Sequence, residues 1–176
     1  MIDFDDYVSR LNQLSKKEFL ETLKSEDNGE HYVGGAIEFL SDHVKNDKEV
    51  ALEIVRRNGD DYQWLNSSLK NDQEVLLEAI KEDEFYFNGP AILDAPEDLQ
   101  NNRDFIIKAF SVNGYCLENV NENFKNDRDI VMAAVSTNKE DGQVIRFANN
   151  NLKKDKEIIL AAIKNARDLD SLPCIW

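Results

Sequence analysis

Two histidines and two cysteines are the side chains of this sequence best suited to metal binding or nucleophilic chemistry: His31, His43, Cys116 and Cys174. A metal site needs several such ligands at matched spacing, and neighbouring residues on a helix do not face each other. Asp42 beside His43 therefore completes no ligand set. The cysteines show neither a disulfide framework nor a metal-ligand spacing, which favours a reducing cytoplasm. We predict no metal, no cofactor and no catalytic residue.

The many carboxylates are the second group of residues that could do chemistry. The chain has 35 Asp and Glu against 21 Lys and Arg, for a net charge of −14. A calcium-binding EF-hand would alternate acids around a central glycine, and that pattern is absent. Gly34 and Gly35 precede a predicted helix, where an anion could bind, but Glu30 and Glu38 beside them favour a simple turn. Most of the other acids stand at predicted helix starts.

The helix starts belong to a segment that recurs along the chain. Its fourth residue is Asp47, Asp72, Asn102, Asp127 and Asp155, at steps of 25, 30, 25 and 28 residues. Self-similarity at a nearly fixed period indicates a repeat architecture. Asp and Asn are favoured N-cap residues, and every copy carries an acid two residues later, which suits the positive end of the helix dipole. Each copy therefore predicts the start of a helix.

Apolar residues follow each cap at positions i, i+1, i+4 and i+5, which is one face of a helix. The third of these residues is Ala in four of the five copies, so a neighbouring helix can approach closely. We call these the A helices and predict them over 47–55, 72–80, 102–110, 127–135 and 155–163.

A second apolar stripe with i, i+3, i+7 spacing precedes each cap and returns once more at Leu169, Leu172 and Trp176. It predicts short B helices of about two turns. Asn58-Gly59 and Asn113-Gly114 lie between A and B, where a left-handed residue often ends a helix. The fold class is therefore all-α: an α-α repeat, solenoid-like and right-handed, of short helix pairs.

The domain prediction is a single helical repeat domain over 1–176. Residues 1–35 form an atypical N-terminal cap region, in which Ser15 and Glu18 make a capping box. Regular repeats occupy 36–167, and 168–176 form a C-terminal capping helix.

The unit Leu-x-x-Asp-x-Glu-Val-x-x-x-Ala-Val, followed by Asn-Gly and a short helix, resembles a known repeat family. That family is the domain of unknown function numbered 4116, which occurs in tandem in bacterial and viral proteins. The resemblance covers about 44–167, and Asn102 departs from its usual Asp. It implies a fold and an interaction role, and it supplies no catalytic residue.

The charge of the chain restricts its partners. A net charge of −14 repels nucleic-acid phosphates and anionic membranes, and it attracts basic proteins. No apolar run reaches membrane-span length, and the N-terminus lacks the features of a signal peptide. We expect a cytoplasmic protein, or one delivered to a host cell if it is an effector, with a basic protein partner and an undetermined oligomeric state.

Aromatic residues near acids mark the expected partner-binding site. The third repeat is 30 residues long where its neighbours are 25, and the extra length falls near 81–90, beside three consecutive aromatics. Insertions in repeats often project on the binding face. Trp64 lies off its apolar stripe, so we expect it to be partly exposed. The predicted partner-binding residues are Trp64, Glu82, Asp83, Glu84, Phe85, Tyr86 and Phe87. The alternative is that Phe85 and Phe87 fill a gap in the core.

Three functions fit this sequence. The first is a non-catalytic acidic repeat that binds another protein as an inhibitor, immunity protein or effector module. The second is a DNA mimic that inhibits a nucleic-acid-binding protein, which requires acids on one continuous face. The third is an enzyme whose site assembles from residues that cannot be paired from sequence.

Overall fold

The protein is described by a computed structural model that covers residues 3–25, 37–82, 91–137 and 143–166. The described residues contain helices and turns and no strand, which confirms the all-α repeat prediction. None of the described helices combines the length and the apolar character that crossing a membrane requires. The chain divides into two compact units, Met1–Ala95 and Pro96–Trp176.

The first unit begins with helices α1 and α2 and continues with two alternations of a 3-10 helix, a one-turn α-helix and a long α-helix. Its elements are α1 (Phe4–Leu11), α2 (Lys16–Ser25), a 3-10 turn at 37–39, α3 (Asp42–Lys45), α4 (Lys48–Arg57), a 3-10 helix Gly59–Trp64, α5 (Ser67–Lys70), α6 (Gln73–Lys81) and a 3-10 helix Ala91–Asp94.

The second unit repeats the same alternation. Its elements are α7 (Glu97–Gln100), α8 (Arg103–Val112), a 3-10 helix Gly114–Asn119, α9 (Glu122–Lys125), α10 (Arg128–Val135), 3-10 helices Gln143–Phe147 and Leu152–Lys154, and α11 (Lys156–Asn165).

All five predicted caps are present. The side chains of Asp47, Asp72, Asp127 and Asp155 each accept hydrogen bonds from two backbone N–H groups of the first turn, and Asn102 accepts one. These bonds satisfy donors that a helix start leaves without partners. The five A helices therefore begin where the sequence predicts.

The cap region also starts its helix as predicted. Glu18 Oε2 accepts from the backbone N of Ser15 at 2.8 Å, and Ser15 Oγ accepts from the backbone N of Glu18 at 3.4 Å. This reciprocal pair opens α2, whose inward residues Phe19, Leu20 and Leu23 are buried.

The apolar stripes form the core of each unit. The predicted inward residues of α4, α6, α8 and α10 are all buried, whereas on α11 only Ile158 and Ala162 are. The small Ala134, which is fully buried, lies on the face of α10 that packs near α8 and the 3-10 helix Gly114–Asn119. A Cβ atom at Gly114 would clash with the carbonyl oxygen of Ala134, so a glycine is required there for the backbones to approach.

The predicted B helices differ from the observed elements. The first four B stripes each span a 3-10 helix and a one-turn α-helix, separated by extended backbone, as at Asn66 (φ −70°, ψ 153°), Pro96 (φ −55°, ψ 145°) and Asn121 (φ −64°, ψ 155°). The fifth stripe spans two 3-10 helices, and the predicted C-terminal capping helix, 168–176, lies outside the described residues. Asn and Pro suit this position because they favour helix starts. Apolar spacing alone does not reveal the break, because a 3-10 helix has three residues per turn and keeps the i, i+3 contact on one face.

The Asn-Gly pairs also act differently from the expectation. Asn58 (φ −153°, ψ 112°) and Asn113 (φ −141°, ψ 104°) are extended, not left-handed. Their side-chain oxygens accept from the backbone N of Asp60 and Tyr115, at 3.2 and 3.1 Å. Each asparagine therefore ends an A helix and caps the 3-10 helix that follows.

Candidate functional site

The predicted partner-binding segment is only partly within the described residues. Glu82 is described, and its carboxylate lies 3.4 Å from Lys81 Nζ. Trp64 is half-buried and packs against the core of the first unit. Asp83, Glu84, Phe85, Tyr86 and Phe87 lie outside the described residues, as do His31 and Cys174. Their role in partner binding stays a prediction.

The first unit exposes a pair of aromatic rings that the sequence analysis did not single out. Phe4 and Phe39 are 47% and 54% exposed, and their ring centroids are 5.6 Å apart at an interplanar angle of 86°. This edge-to-face geometry is a favourable aromatic contact. Two large apolar side chains that contact each other in solvent form a small patch suited to a partner.

Asn12, the C-terminal cap of α1, positions this aromatic pair. Its Nδ2 donates to the carbonyl oxygen of Phe39 at 3.3 Å, and its Oδ1 accepts from the backbone N of Ser41 at 2.7 Å. The carbonyl group of Phe39 and the backbone N–H of Ser41 are thereby both hydrogen-bonded to the end of α1. Because Phe4 is the first residue of α1, the same helix fixes both rings.

Exposed carboxylates flank the two aromatic residues in sequence. Asp3, Asp5 and Asp6 stand at the start of α1, and Glu38 precedes Phe39; all four are exposed. Among the described residues, none of these four carboxylates forms a salt bridge. We call Phe4, Phe39 and these four acids the acidic aromatic patch.

The described histidine and cysteine add no reactive centre. His43 Nδ1 lies 2.7 Å from Ser41 Oγ on the surface, and Cys116 is buried in the core. In the part of the chain that the structure describes, no three residues among His, Cys, Asp and Glu come together as a metal site.

Cations at the first position of a helix bind the start of the next A helix within each unit. In the first unit, Lys16 Nζ lies 2.9 Å from Asp47 and 2.8 Å from Glu49, and Lys48 Nζ lies 2.7 Å from Asp72 and 2.8 Å from Glu74. Each cation therefore binds both the N-cap and the acid two residues later on the next A helix.

The second unit repeats the arrangement with arginine. Arg103 Nε and Nη2 donate to the two oxygens of Asp127 at 2.7 and 3.0 Å, and Nη2 also donates to Asp129 at 2.6 Å. Arg128 binds Asp155 at 2.9 Å and also pairs with Glu157. We call these four cations and their acids the cap ladder.

The ladder changes the ionisation of its members. The hydrogen bond from Arg103 lowers the pKa of Asp127, against a smaller opposing effect of burial. At Asp47 burial is the largest influence and raises the pKa, but hydrogen bonds from Lys16 and the backbone N–H groups outweigh it, so the pKa is lowered. The cap carboxylates therefore stay ionised and hold their cations.

Sequence reasoning could have found the ladder. The residue after each cap is Lys48, Arg103, Arg128 or Lys156, with Gln73 as the exception, so a column of cations is visible once the repeats are aligned. Residues 24 to 29 apart in sequence make the hydrogen bonds of the second unit, however, and only the fold brings them together.

Asp61 is a carboxyl group buried in the core of the first unit. It is 6% exposed and occupies the position that Ala91, Cys116 and Val144 hold in the other repeats. Burial, followed by the charge of the neighbouring Asp60, raises the pKa of Asp61 to about 7. The sequence analysis assigned the acids to caps and turns and did not single out this one.

Tyr62, the next residue, is fully buried, as its place in the B stripe predicts. Its hydroxyl donates to the carbonyl oxygen of Lys70 at 2.7 Å, and burial raises the pKa of the phenol. The hydroxyl therefore ties the 3-10 helix Gly59–Trp64 to the end of α5.

Comparison with known proteins gives one family. The sequence profile described as "Domain of unknown function (DUF4116)" matches five overlapping segments, over 26–67, 47–88, 87–125, 102–140 and 138–174. No curated protein and no solved structure matches the chain.

Proposed function

The chain belongs to the DUF4116 family, and we propose that it is a non-catalytic acidic repeat protein that binds a basic protein through the acidic aromatic patch. Binding of this kind suits an inhibitor, an immunity protein or an effector module. We place it in the cytoplasm, which agrees with the lack of a disulfide framework or metal-ligand spacing in the cysteine sequence positions.

The observation that carries the proposal is the exposed pair of Phe4 and Phe39, next in sequence to acids that form no salt bridge with another described residue. Aromatic side chains that enter an apolar pocket of a partner often dominate the energy of an interface. The surrounding carboxylates would meet Lys or Arg on the rim of that pocket, which favours a basic partner over an acidic one. The partner we propose therefore has an apolar pocket with a cationic rim.

The cap ladder argues against the DNA-mimic alternative. A mimic must present free carboxylates in a continuous array, as phosphates are in a duplex. At the starts of α4, α6, α10 and α11 each pair of acids is instead bound to one cation, Lys16, Lys48, Arg103 or Arg128, which offsets half of the charge of the pair. They are positioned to hold the repeats together, and the acidic aromatic patch offers too few free acids to imitate a DNA strand.

The test compares partner capture by matched variants. The intact protein and the double variant Phe4→Ser/Phe39→Ser are immobilised and exposed to extract from the native host. Proteins retained by the wild type and lost from the double variant are identified, and their affinities are measured with purified partner. We expect a basic protein whose affinity falls at least about tenfold in the double variant.

Leu93→Ser is the control, because Leu93 is a similarly exposed apolar residue (46%) elsewhere in the first unit. It should keep full affinity. All variants must retain the wild-type melting temperature within a few degrees. A partner that binds the double variant as well as the wild type would overturn the proposed surface. A nuclease displaced by duplex DNA would instead establish the mimic.

A further inference from the structure

Each A helix presents an outer stripe beside its buried inward face, and the two share the eighth helical position. The first, fifth and eighth helical positions lie on this stripe, because they are separated by four and three residues. In α10 they are Arg128, Met132 and Val135. Arg128 binds the acids at the start of α11, and Val135 is only 2% exposed. The next A helix therefore covers the outer stripe of α10.

The same relation holds elsewhere in both units. On α8 the stripe is Arg103, Ile107 and Phe110, and α10 supplies the acids that bind Arg103. On α4 the stripe begins with Lys48, which forms salt bridges with the two acids at the start of α6. A cation beside apolar side chains is thus repeatedly covered by a helix that starts with two acids.

The outer stripe of α11 also combines a cation with apolar side chains, and no described residue after Ala166 is available to cover it, because the predicted capping helix over 168–176 lies outside the described residues. Leu160 is 54% exposed and Ile163 is 36% exposed, while Lys156 makes no ion pair with any described residue. The opposite face of α11 is already anchored, because Ile158 and Ala162 are buried and Asn165 Nδ2 donates to the carbonyl oxygen of Val135 at 2.9 Å.

We propose that the outer stripe of α11 binds a helix of another protein that begins with a carboxylate N-cap and a second acid two residues later. The partner helix would carry apolar residues at its third, fourth and seventh positions, as the covering helices of this chain do. The charge of Lys156 complements its two acids, and Leu160 and Ile163 complement its apolar face. This surface is separate from the acidic aromatic patch.

A second copy of this chain is a poorer occupant. Its helix starts at Asp47, Asp72, Asp127 and Asp155 already hold cations of their own chain. Its α2 begins with Ser15 and carries Lys17 where the second acid is needed, and its α8 is capped by Asn102 instead of a carboxylate. Its α1 does begin with Asp3 and Asp5, but Asp6 and Arg10 stand at the third and seventh positions, where the partner helix needs apolar residues. Self-association through this stripe is therefore disfavoured.

The experiment uses the intact protein and a synthetic peptide of residues 124–137, which contains the acids Asp127 and Asp129 and the inward face of α10. Methyl resonances of Leu160 and Ile163 are followed by NMR during titration. We expect shifts in these two residues. The Lys156→Glu protein should bind the wild-type peptide about fivefold more weakly than the wild-type protein does. It should bind a peptide that carries Asp127→Lys and Asp129→Lys about fivefold more tightly than the wild-type protein binds that peptide.

Lys154→Glu is the control, since it makes the same charge change on the exposed residue just before the cap of α11. Four results would overturn the proposal. The first is the absence of a shift at Leu160 and Ile163, and the second is an equal weakening of binding by Lys154→Glu. The third is a set of shifts that depend on protein concentration in the absence of peptide. The fourth is a drop in melting temperature in Lys156→Glu as large as that in Arg128→Glu. The third result would identify a second copy as the occupant, and the fourth would show that the chain itself uses Lys156.

Discussion

Asp61 lies in a core position where its counterparts are Ala91, Cys116 and Val144. Because burial raises its pKa to about 7, the folded protein binds a proton that the unfolded chain releases near pH 4. The contribution of Asp61 to stability is therefore complete below about pH 4 and is lost as the pH rises to about 7. At neutral pH the fold carries a partly ionised carboxyl in its core.

We expect Asp61→Asn to stabilise the protein above pH 7, by on the order of a few kcal/mol, and to change stability little near pH 3. Urea unfolding of both proteins from pH 3 to pH 8 measures this difference. Asp60→Asn should reduce the effect, since the charge of Asp60 contributes to the raised pKa. A difference between Asp61→Asn and the wild type that does not vary with pH would contradict a buried, proton-binding Asp61.

Asp127 combines two functions that its variants can separate. It caps α10 through the backbone N of Asp129 and Ile130, and it binds Arg103 in a bidentate pair. Asparagine keeps the cap, as Asn102 does on α8, but cannot form the ion pair. Asp127→Asn should therefore lose only the contribution of the ladder, and Asp127→Ala should lose about 1 kcal/mol more.

Chemical denaturation of Asp127→Asn, Asp127→Ala and Arg103→Met at low and high salt tests this separation. The effect of Asp127→Asn should shrink at high salt and should largely disappear in the Arg103→Met background. The additional loss in Asp127→Ala should persist in both conditions. If Asn and Ala cost the same, the side chain of residue 127 would not be a cap.

At the scale of the element, the sequence predicts what depends on local chemistry. The start of each A helix follows from a cap and an acid within three residues, and these were identified at Asp47 and its equivalents. The interruption of the B helices was not predicted, because Leu65 keeps its place in the apolar stripe although its backbone is extended. The apolar stripe therefore predicts which residues are buried, but it does not distinguish a continuous α-helix from a 3-10 helix followed by a short α-helix.

The candidate surfaces depend on contacts that are distant in sequence. Phe4 and Phe39 meet because Asn12 binds the turn backbone, and an amide at a helix end gives no sequence signal for that contact. The open stripe of α11 has the same residue types as the covered stripe of α10. Only the exposure of Leu160 and Ile163 distinguishes it.

The close contact of A helices depends on small residues, and Ala134 tests it. Ala134 is fully buried on α10, and its carbonyl oxygen is the atom that a side chain at Gly114 would meet. Ala134→Leu should therefore overpack the core and cost about 1–3 kcal/mol in the free energy of unfolding. Ala133→Leu is the matched control, because Ala133 is only half-buried on the same helix.

Thermal and urea unfolding of the two variants give the comparison. Ala134→Leu should lower the denaturation midpoint clearly, and Ala133→Leu should lower it less. Equal midpoints for both variants would mean that the interface accommodates a large side chain at Ala134.

At the scale of the whole molecule, two groups of acids contribute to the net charge of −14 in different ways. Those of the cap ladder are bound to cations and contribute to the links between repeats. Those near Phe4 and Phe39 remain without salt bridges among the described residues. Long-range attraction acts through the net field, whereas short-range affinity acts through the aromatic rings.

This division predicts that charge and apolar contact affect different rate constants for the partner captured through the acidic aromatic patch. Raising the salt concentration from about 20 mM to about 300 mM shortens the Debye length from roughly 20 Å to under 10 Å and should slow association about tenfold, with little change in dissociation. Phe39→Ser should instead speed dissociation about tenfold and leave association nearly unchanged, because the ring acts only after contact. Surface plasmon resonance at both salt concentrations measures all four rates. An association rate that is independent of salt would exclude electrostatic attraction as the reason for the acidic composition, and the proposed partner would then need no cationic rim.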